Sequence, residues 1–407
     1  FVDGERLWRR LGELAAAGAT GRGGVRRLAL GPEEAQARRL VAGWARARGF
    51  SVTVDGIGNL FVRRAGRDPD APPVLTGSHL DTQPSGGRFD GAYGVLAALE
   101  VLEALEDGQL CTDAPVVAVA WTNEEGARFQ PGTMGSAVFA GQLELASALA
   151  ARDSDGVRVA DALARVLEES GVGQVSGTGF PLAAYVEAHI EQGPVLEEAR
   201  VPVGAVTGIQ GLRWFEVSVR GEQGHAGTLP ESRRRDALMG AVEVVHALRG
   251  QLLDQDDLLR FTVGRFECAP GSPNTIPGRV LFSIDLRHPD AAVLAARGDL
   301  IADVCRRAAG PCEVSVRETM STPPVAFDPR IVELVESSAG RLDLDCLRLP
   351  SGAGHDAGHL ARLCPTGMLF VPCAGGRSHT ETESAEPQDL TAGARVLADV
   401  VCQLANG

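Results

Sequence analysis

Along the first two hundred residues the apolar positions follow two rhythms in alternation. The stretches 73–79, 116–121 and 183–188 are short, nearly unbroken apolar runs, the pattern of strands buried on both faces of a parallel sheet. Between the first two, Val95, Leu96, Leu99, Leu102 and Leu105 recur at helical spacing and predict a helix over 91–106. Further helices are predicted over 1–17, 32–48 (with Pro32 in the first turn) and 157–170. Short alternating runs at 50–54 and 59–62, around Gly56 and Gly58, predict a hairpin. Up to about Val206 this is one α/β unit.

From Gly208 the rhythm changes. Phe215, Val217 and Val219 alternate, so 214–220 reads as a strand with one buried face. A helix over 236–253, strands over 259–267 and 278–286, a helix over 291–309 and a strand over 312–319 follow. The order β-α-β-β-α-β predicts a ferredoxin-like α+β domain inserted in the first. After Ser321-Thr322-Pro323-Pro324 the α/β pattern returns, with a helix over 328–338, a strand over 367–371 and a final helix over 389–404. The expected fold is α/β: a discontinuous domain of residues 1–207 and 319–407 with a mainly parallel sheet flanked by helices, and a lid-like insert over 208–318.

Composition narrows the partners. The 407 residues are 44% hydrophobic and 23% charged, ordinary globular chemistry with material for about two domains. A formal charge of −14 argues against nucleic acid or an anionic membrane surface, while leaving a small anionic substrate open. No apolar run approaches the ~18 residues of a membrane span. The chain begins at Phe1, and 1–17 carries charges throughout without a signal-peptide apolar stretch. Eight scattered cysteines suit a reducing, cytoplasmic setting and mostly core filling, better than a disulfide framework or a cysteine-zinc site.

The chemistry lies at strand ends. His79, Glu124-Glu125, His189 and His379 each fall at or just beyond the carboxyl end of an expected buried strand, and Asp90 falls at a helix start. Parallel strands bring those ends to one edge of the sheet, where open α/β sheets place their ligands. Each residue has an ordinary reading alone: a loop histidine, a solvated glutamate pair, an N-cap aspartate. Their coincidence on one edge favours a metal site. Imidazoles and carboxylates without cysteine suit divalent zinc, manganese or cobalt, and a pair of ions needs a shared carboxylate such as Asp90. In 278–286 the apolar set Val280, Phe282, Ile284 and Leu286 leaves Asp285 and Arg287 on the opposite face, as an exposed pair or a substrate clamp.

Seven segments together resemble one known group. They are Gly77-Ser78-His79-Leu80-Asp81-Thr82, Gly87-Arg88-Phe89-Asp90-Gly91, Thr122-Asn123-Glu124-Glu125-Gly126, Glu187-Ala188-His189-Ile190-Glu191-Gln192-Gly193, Gly224-His225-Ala226-Gly227-Thr228, Asn274-Thr275-Ile276-Pro277 and Ser351-Gly352-Ala353-Gly354-His355-Asp356-Ala357. They look like the amidase/hydantoinase/carbamoylase group of the M20 metallopeptidase superfamily, which holds N-carbamoyl-L-amino acid hydrolases, allantoate amidohydrolases and β-ureidopropionases. The resemblance implies two divalent ions per subunit (zinc, or manganese, cobalt or nickel), one on His79 and His189, the other on Glu125 and His379, with Asp90 between. It implies Asp81 as the carboxylate orienting His79, Glu124 as general base and then acid, and His225 as oxyanion stabiliser. Gln192, Asn274, Arg287 and the Gly352-Ala353-Gly354 backbone would hold the substrate. It further implies a homodimer joined through the inserted domain, with His225 delivered across the interface.

The activity expected on this basis is hydrolysis of a linear ureido acid, an N-carbamoyl-L-amino acid first and allantoate second, with an M20-type peptidase or N-deacylase behind them. Some positions depart from the group's pattern: Thr380-Glu381-Thr382-Glu383 lacks its proline, Cys373 replaces a serine, Arg377 precedes the last motif, and Glu231 replaces a methionine. None is an expected ligand, so the departures bear on the rim of the pocket.

Overall fold

The strand that ends in His79, Val74–His79, is buried along its whole length near the middle of a nine-stranded sheet. The computed structural model describes residues 2–173, 177–253 and 257–407. It divides into two units, Phe1–Gly208 with Ala326–Gly407, and Ile209–Val325. In the first, the sheet order is Ser51–Val54, Leu60–Arg64, Val116–Trp121, Val74–His79, Ala184–Ile190, Thr366–Val371, Val203–Ile209 and Val325–Ala326, with Cys346–Ser351 also paired to Val203–Ile209. The four central strands run parallel and the pairings registered on either flank are antiparallel. Register aligns His79 with Trp121 and Ile190 with Val371, so the strands carrying the candidate chemistry finish on one edge.

The helix Ala92–Asp107 was expected to show one apolar stripe, yet it is buried almost all round. It packs on the strands Val74–His79, Val116–Trp121 and Ala184–Ile190 and under the helices Gly4–Ala15 and Pro387–Leu404. Its two sealed glutamates are tolerated because arginines reach them from Gly4–Ala15. Arg6 contacts Glu100 through Nε and NH2 at 2.6 Å each, and Arg10 contacts Glu103 at 2.5 and 2.9 Å. Asp3 caps that N-terminal helix, which starts at Gly4; of the expected 1–17 segment, Phe1 lies outside the described residues. The short helices Met134–Phe139 and Leu145–Ala150 carry too few turns to show a period, and the sequence reading passes over them.

The second unit has an antiparallel sheet in the order Phe266–Ala269, Arg279–His288, Gly211–Arg220, Glu313–Thr322. The stretch expected as one strand over 259–267 is two, Arg260–Thr262 and Phe266–Ala269, both paired with Arg279–His288. Between them the Ser283 amide still donates to the Arg265 carbonyl, while the Arg265 amide turns to Ser283 Oγ, so half of a ladder pair is replaced by a side-chain bond. Helices Ala237–Leu252 and Ala291–Ala308 cover one face, meeting Phe215, Val217, Val219, Phe282 and Ile284 in a core of their own. Among the described residues no helix is long and apolar enough to cross a membrane.

Candidate metal centre and active site

Asp90 stands where three histidines converge. Its Oδ1 lies 3.2 Å from His189 Nε2 and 3.6 Å from His79 Nε2, and its Oδ2 lies 3.3 Å from His379 Nε2. His379 Nε2 is also 3.3 Å from Glu125 Oε2. Two groups of donor atoms, His79–Asp90–His189 and Asp90–Glu125–His379, each gather within 4.8 Å, and Asp90 belongs to both. A third, Glu187–His189–His355, is fully buried. Gly91 has φ +64°, and a Cβ there would come within 2.3 Å of the His79 ring, so only glycine lets the helix start under the imidazole.

The rings are aimed by the backbone. His79 Nδ1 lies 2.9 Å from the Asp81 carbonyl and His189 Nδ1 2.9 Å from the Ile190 carbonyl. A carbonyl can only accept, so each Nδ1 carries a proton, and Nε2 is the ring nitrogen turned toward Asp90. The contact expected of the Asp81 carboxylate is therefore made by its main chain. The carboxylate stands 3.7 Å from His79 Nδ1 and instead accepts the amides of Glu124 and Glu125 at 3.1 Å each. It orders the glutamate pair more than the histidine. Glu124 Oε2 lies 3.6 Å from His79 Nε2.

Several residues that the sequence reading passed over complete the site. Gln83 donates from its amide and its side chain to the two oxygens of Glu125, at 3.2 and 2.8 Å. Glu187, wholly buried two residues before His189, accepts from Ser78, Tyr185 and the Ala357 amide, tying the loop 351–357 to the ligand-bearing strands. His355 stacks edge-on against His189 with centroids 4.6 Å apart and bonds Ser351. Asp356 accepts from Ser136 by Oδ1, while its buried Oδ2 has no partner. Glu383 accepts from the amides of Phe89 and Asp90. Most of these sit inside segments already singled out for their neighbours, where their spacing gave no separate signal. Backbone strain marks the same place: Asn123, Gln192 and His379 have φ of +54°, +58° and +56°. Left-handed conformations of this sort cost about 1–3 kcal/mol each outside glycine and cluster at functional sites.

Electrostatics argues for cations. Asp81, Asp90, Glu187, Asp356 and Glu383 are buried, with Glu124 and Glu125 beside them, and among the described residues no arginine pairs with any of them. Burial, the largest cause, pushes Asp81 and Glu383 up to about 7, with Glu34 and Glu125 adding to it at Asp81 and Asp90 at Glu383. It holds Glu124 well above the carboxylate range, with Asp356, Glu125 and Asp81 adding to it against His79. Asp90 is held far below that range despite its burial, by hydrogen bonds to His189, His379 and His79. Burial opposes protonation of His79, but Glu124, Asp90 and Asp81 outweigh it and raise the imidazole well above 6.5. A box of carboxylates that draws charge onto its histidines, with nitrogen and oxygen donors and no thiol, fits divalent ions.

The structure does not bring all expected site residues into this one cluster. Gln192 Nε2 donates to Asp90 Oδ2 at 2.9 Å, and its buried Oε1 has no partner. Gly352 and Gly354 have open space where a Cβ would stand. His225, Asn274 and Arg287 belong to the second unit. There His225 pairs with Thr275 across a two-stranded ribbon and the Ala226 amide donates to the Asn274 carbonyl, so those two share one loop pair. Arg287 makes a forked contact with Asp285 at 2.8–3.2 Å. Of the departures, Glu381 pairs with Arg22 at 2.8 Å, Glu231 pairs with Arg234 at 3.1 Å, and Cys373 is buried against the Gly193 carbonyl.

Similarity to known proteins covers nearly the whole chain. Residues 75–403 match the model of peptidase family M20/M25/M40. An N-carbamoyl-L-amino-acid amidohydrolase of Rhizobium meliloti is 39% identical over 408 residues, spanning 99% of this chain and 97% of its own. An allantoate amidohydrolase of Bacillus subtilis is 36% identical, spanning 96% and 95%. The crystal structure of an amidase of the hydantoinase/carbamoylase family from Burkholderia multivorans matches with a TM-score of 0.95 at 46% identity, covering 100% of this chain and 98% of that one.

Proposed function

The chain belongs to the M20/M25/M40 peptidase family, among its hydantoinase/carbamoylase amidases, and from that premise we propose that it hydrolyses N-carbamoyl-L-amino acids. The reaction consumes one water and yields the amino acid, ammonia and carbon dioxide. The observation that carries this reading is Asp90, shared by two donor groups at the end of a parallel sheet, in a chain 39% identical to a carbamoyl-amino-acid hydrolase over its full length. Allantoate is the second reading, favoured by the likeness to the Bacillus subtilis enzyme.

In this proposal His79 and His189 would hold one divalent ion and Glu125 and His379 a second, with Asp90 available to both. Zinc, manganese, cobalt or nickel suits the donors. Bound there, such ions supply Lewis acidity toward the ureido carbonyl and acidify water. Glu124 takes the proton of the attacking water onto its carboxylate and returns it to the leaving nitrogen. Asp81 holds Glu124 and Glu125 by their amides, so base and ligand are fixed together. Arg287 clamps the substrate carboxylate, while Gln192, Asn274 and the 352–354 backbone orient the ureido group. His225 donates to the developing oxyanion.

The second unit acts as lid and dimerisation domain, with His225 supplied to the partner's site. Support comes from its edge strand Glu313–Thr322, which among the described residues pairs on one side only and exposes Met320 in register with exposed Trp214. Eight unpaired cysteines accord with a cytoplasmic setting. The test is a panel of metal-loaded assays: N-carbamoyl amino acids of both hands, allantoate, β-ureidopropionate, acyl amino acids and dipeptides. Turnover confined to peptides or acyl amino acids would overturn the ureido reading.

A further inference from the structure

His379 is the most exposed of the five candidate ligands, with half its side chain open to solvent, and it sits on a non-helical loop in a left-handed backbone. Something other than burial must hold it beside Asp90 and Glu125. The loop's inward anchor is Glu383, four residues on and 3% exposed. Its Oε1 accepts the Phe89 amide at 2.8 Å and the Asp90 amide at 3.1 Å. Its Oε2 lies 3.1 Å from the Ser378 hydroxyl, which is also 2.7 Å from Asp90 Oδ2. That hydroxyl has one proton, so it donates to one of the two carboxylates at a time. The Glu383 amide donates to the Thr380 carbonyl, closing the turn 380–383 directly after His379. On the facing loop, a Cβ at Gly87 would come within 2.0 Å of the Glu383 carboxyl carbon. The glycine is the floor on which that carboxylate rests.

We propose that Glu383, seated on Gly87 and linked through Ser378, is a positioning residue that docks the His379 loop onto the Asp90 loop and thereby sets the affinity of the ion shared by Glu125 and His379. The inference rests on the binuclear reading above. It predicts a selective effect. His79 and His189 project from buried strands and take their orientation from carbonyls of their own segments, so their ion depends on the loop only through the shared Asp90.

The experiment titrates metal-free protein with cobalt(II), following visible absorbance and calorimetry, for the parent and for Glu383→Ala, Gly87→Ala and Ser378→Ala, with His379→Ala as reference. The parent should take up two equivalents. In the variants one equivalent should weaken by about 10–100-fold, the usual consequence of losing a residue behind a ligand. The other should be held as in the parent, and the spectrum should move toward that of His379→Ala. Excess cobalt should restore turnover, which a merely structural defect would not allow. Gly87→Ala keeps every hydrogen-bonding group and acts only by displacing the Glu383 carboxylate, so it carries the test if Glu383→Ala fails to fold. Folded variants that bind both equivalents like the parent, or lose both alike, overturn the proposal. A parent that binds fewer than two ions overturns the binuclear reading itself, and this inference with it.

Discussion

Replacing Glu124 by glutamine changes one oxygen for an NH2 group and should leave the site's architecture in place. The Glu124 amide is held by Asp81, a bond that does not involve the side chain being altered. The carboxylate's role as proton acceptor is then lost, and most neighbouring carboxylates are already engaged. Glu125 has both oxygens engaged by Gln83, Asp81 is engaged by two amides, and Asp356 is tied to Ser136 through Oδ1 only. Asp90 faces the three histidines. General acid–base catalysis contributes about 10²–10⁴-fold, and with the neighbouring carboxylates so engaged the upper half of that range is expected, equivalent to roughly 4 kcal/mol or more of barrier. The assay is ammonia release from an N-carbamoyl-L-amino acid, with metal content and melting temperature measured on the same preparation. The expected result is a collapse of kcat at parental metal content and little change in KM. A variant that retains its ions and turns over within about tenfold of the parent would refute the assignment, since a lost general base costs at least ~10²-fold.

Exhaustive chelation should abolish turnover, and zinc, manganese or cobalt should restore it; full activity in verified metal-free protein would end the metal hypothesis. Arg10→Ala leaves Glu103 sealed in the central helix without its bidentate partner. Removing one member of a buried pair costs about 3–5 kcal/mol, and the low end is expected because Arg6 Nε remains 3.0 Å from Glu103. Urea unfolding measures this, and an unchanged midpoint would show that Arg6 suffices. Mixing inactive Glu124→Gln chains with inactive His225→Ala chains should restore partial activity once subunits exchange, because one site of each mixed dimer keeps both residues. No recovery despite demonstrated exchange rules out delivery of His225 by the partner.

The parallel core and the convergence at its edge were legible because both depend on local signals. Unbroken apolar runs such as Val116–Trp121, too short for a buried helix and rich in valine, read as central strands, and a histidine or glutamate at their ends has a short list of purposes. What was not legible depends on contacts across long stretches of sequence. Nothing near Asp81 says that its carboxylate turns to the amides at 124 and 125 while its carbonyl takes the His79 ring. The same holds for Glu187, whose partners come from Ser78 and Ala357 as well as its neighbour Tyr185. The central helix misled in the opposite sense. Glu100 and Glu103 look like solvent positions until arginines one turn apart in another helix claim them.

Those long-range contacts share one character, which bears on what the site requires. Asp81, Glu187 and Glu383 each spend their oxygens on main-chain amides or hydroxyls, and none is neutralised by an arginine. Hydrogen bonds of this sort fix a carboxylate's position without removing its charge, so the negative field remains directed at the histidine cluster. Buried carboxylates left in that condition are expensive, and an arginine in place of the field would have been the cheaper solution for stability alone. Elsewhere in this chain that solution is used, at Glu100 and Glu103. The contrast between the two groups of buried acids separates structure from chemistry: at Glu100 and Glu103 arginine answers the acids, and around Asp90 the charge is left uncompensated, as the binding of divalent ions would require.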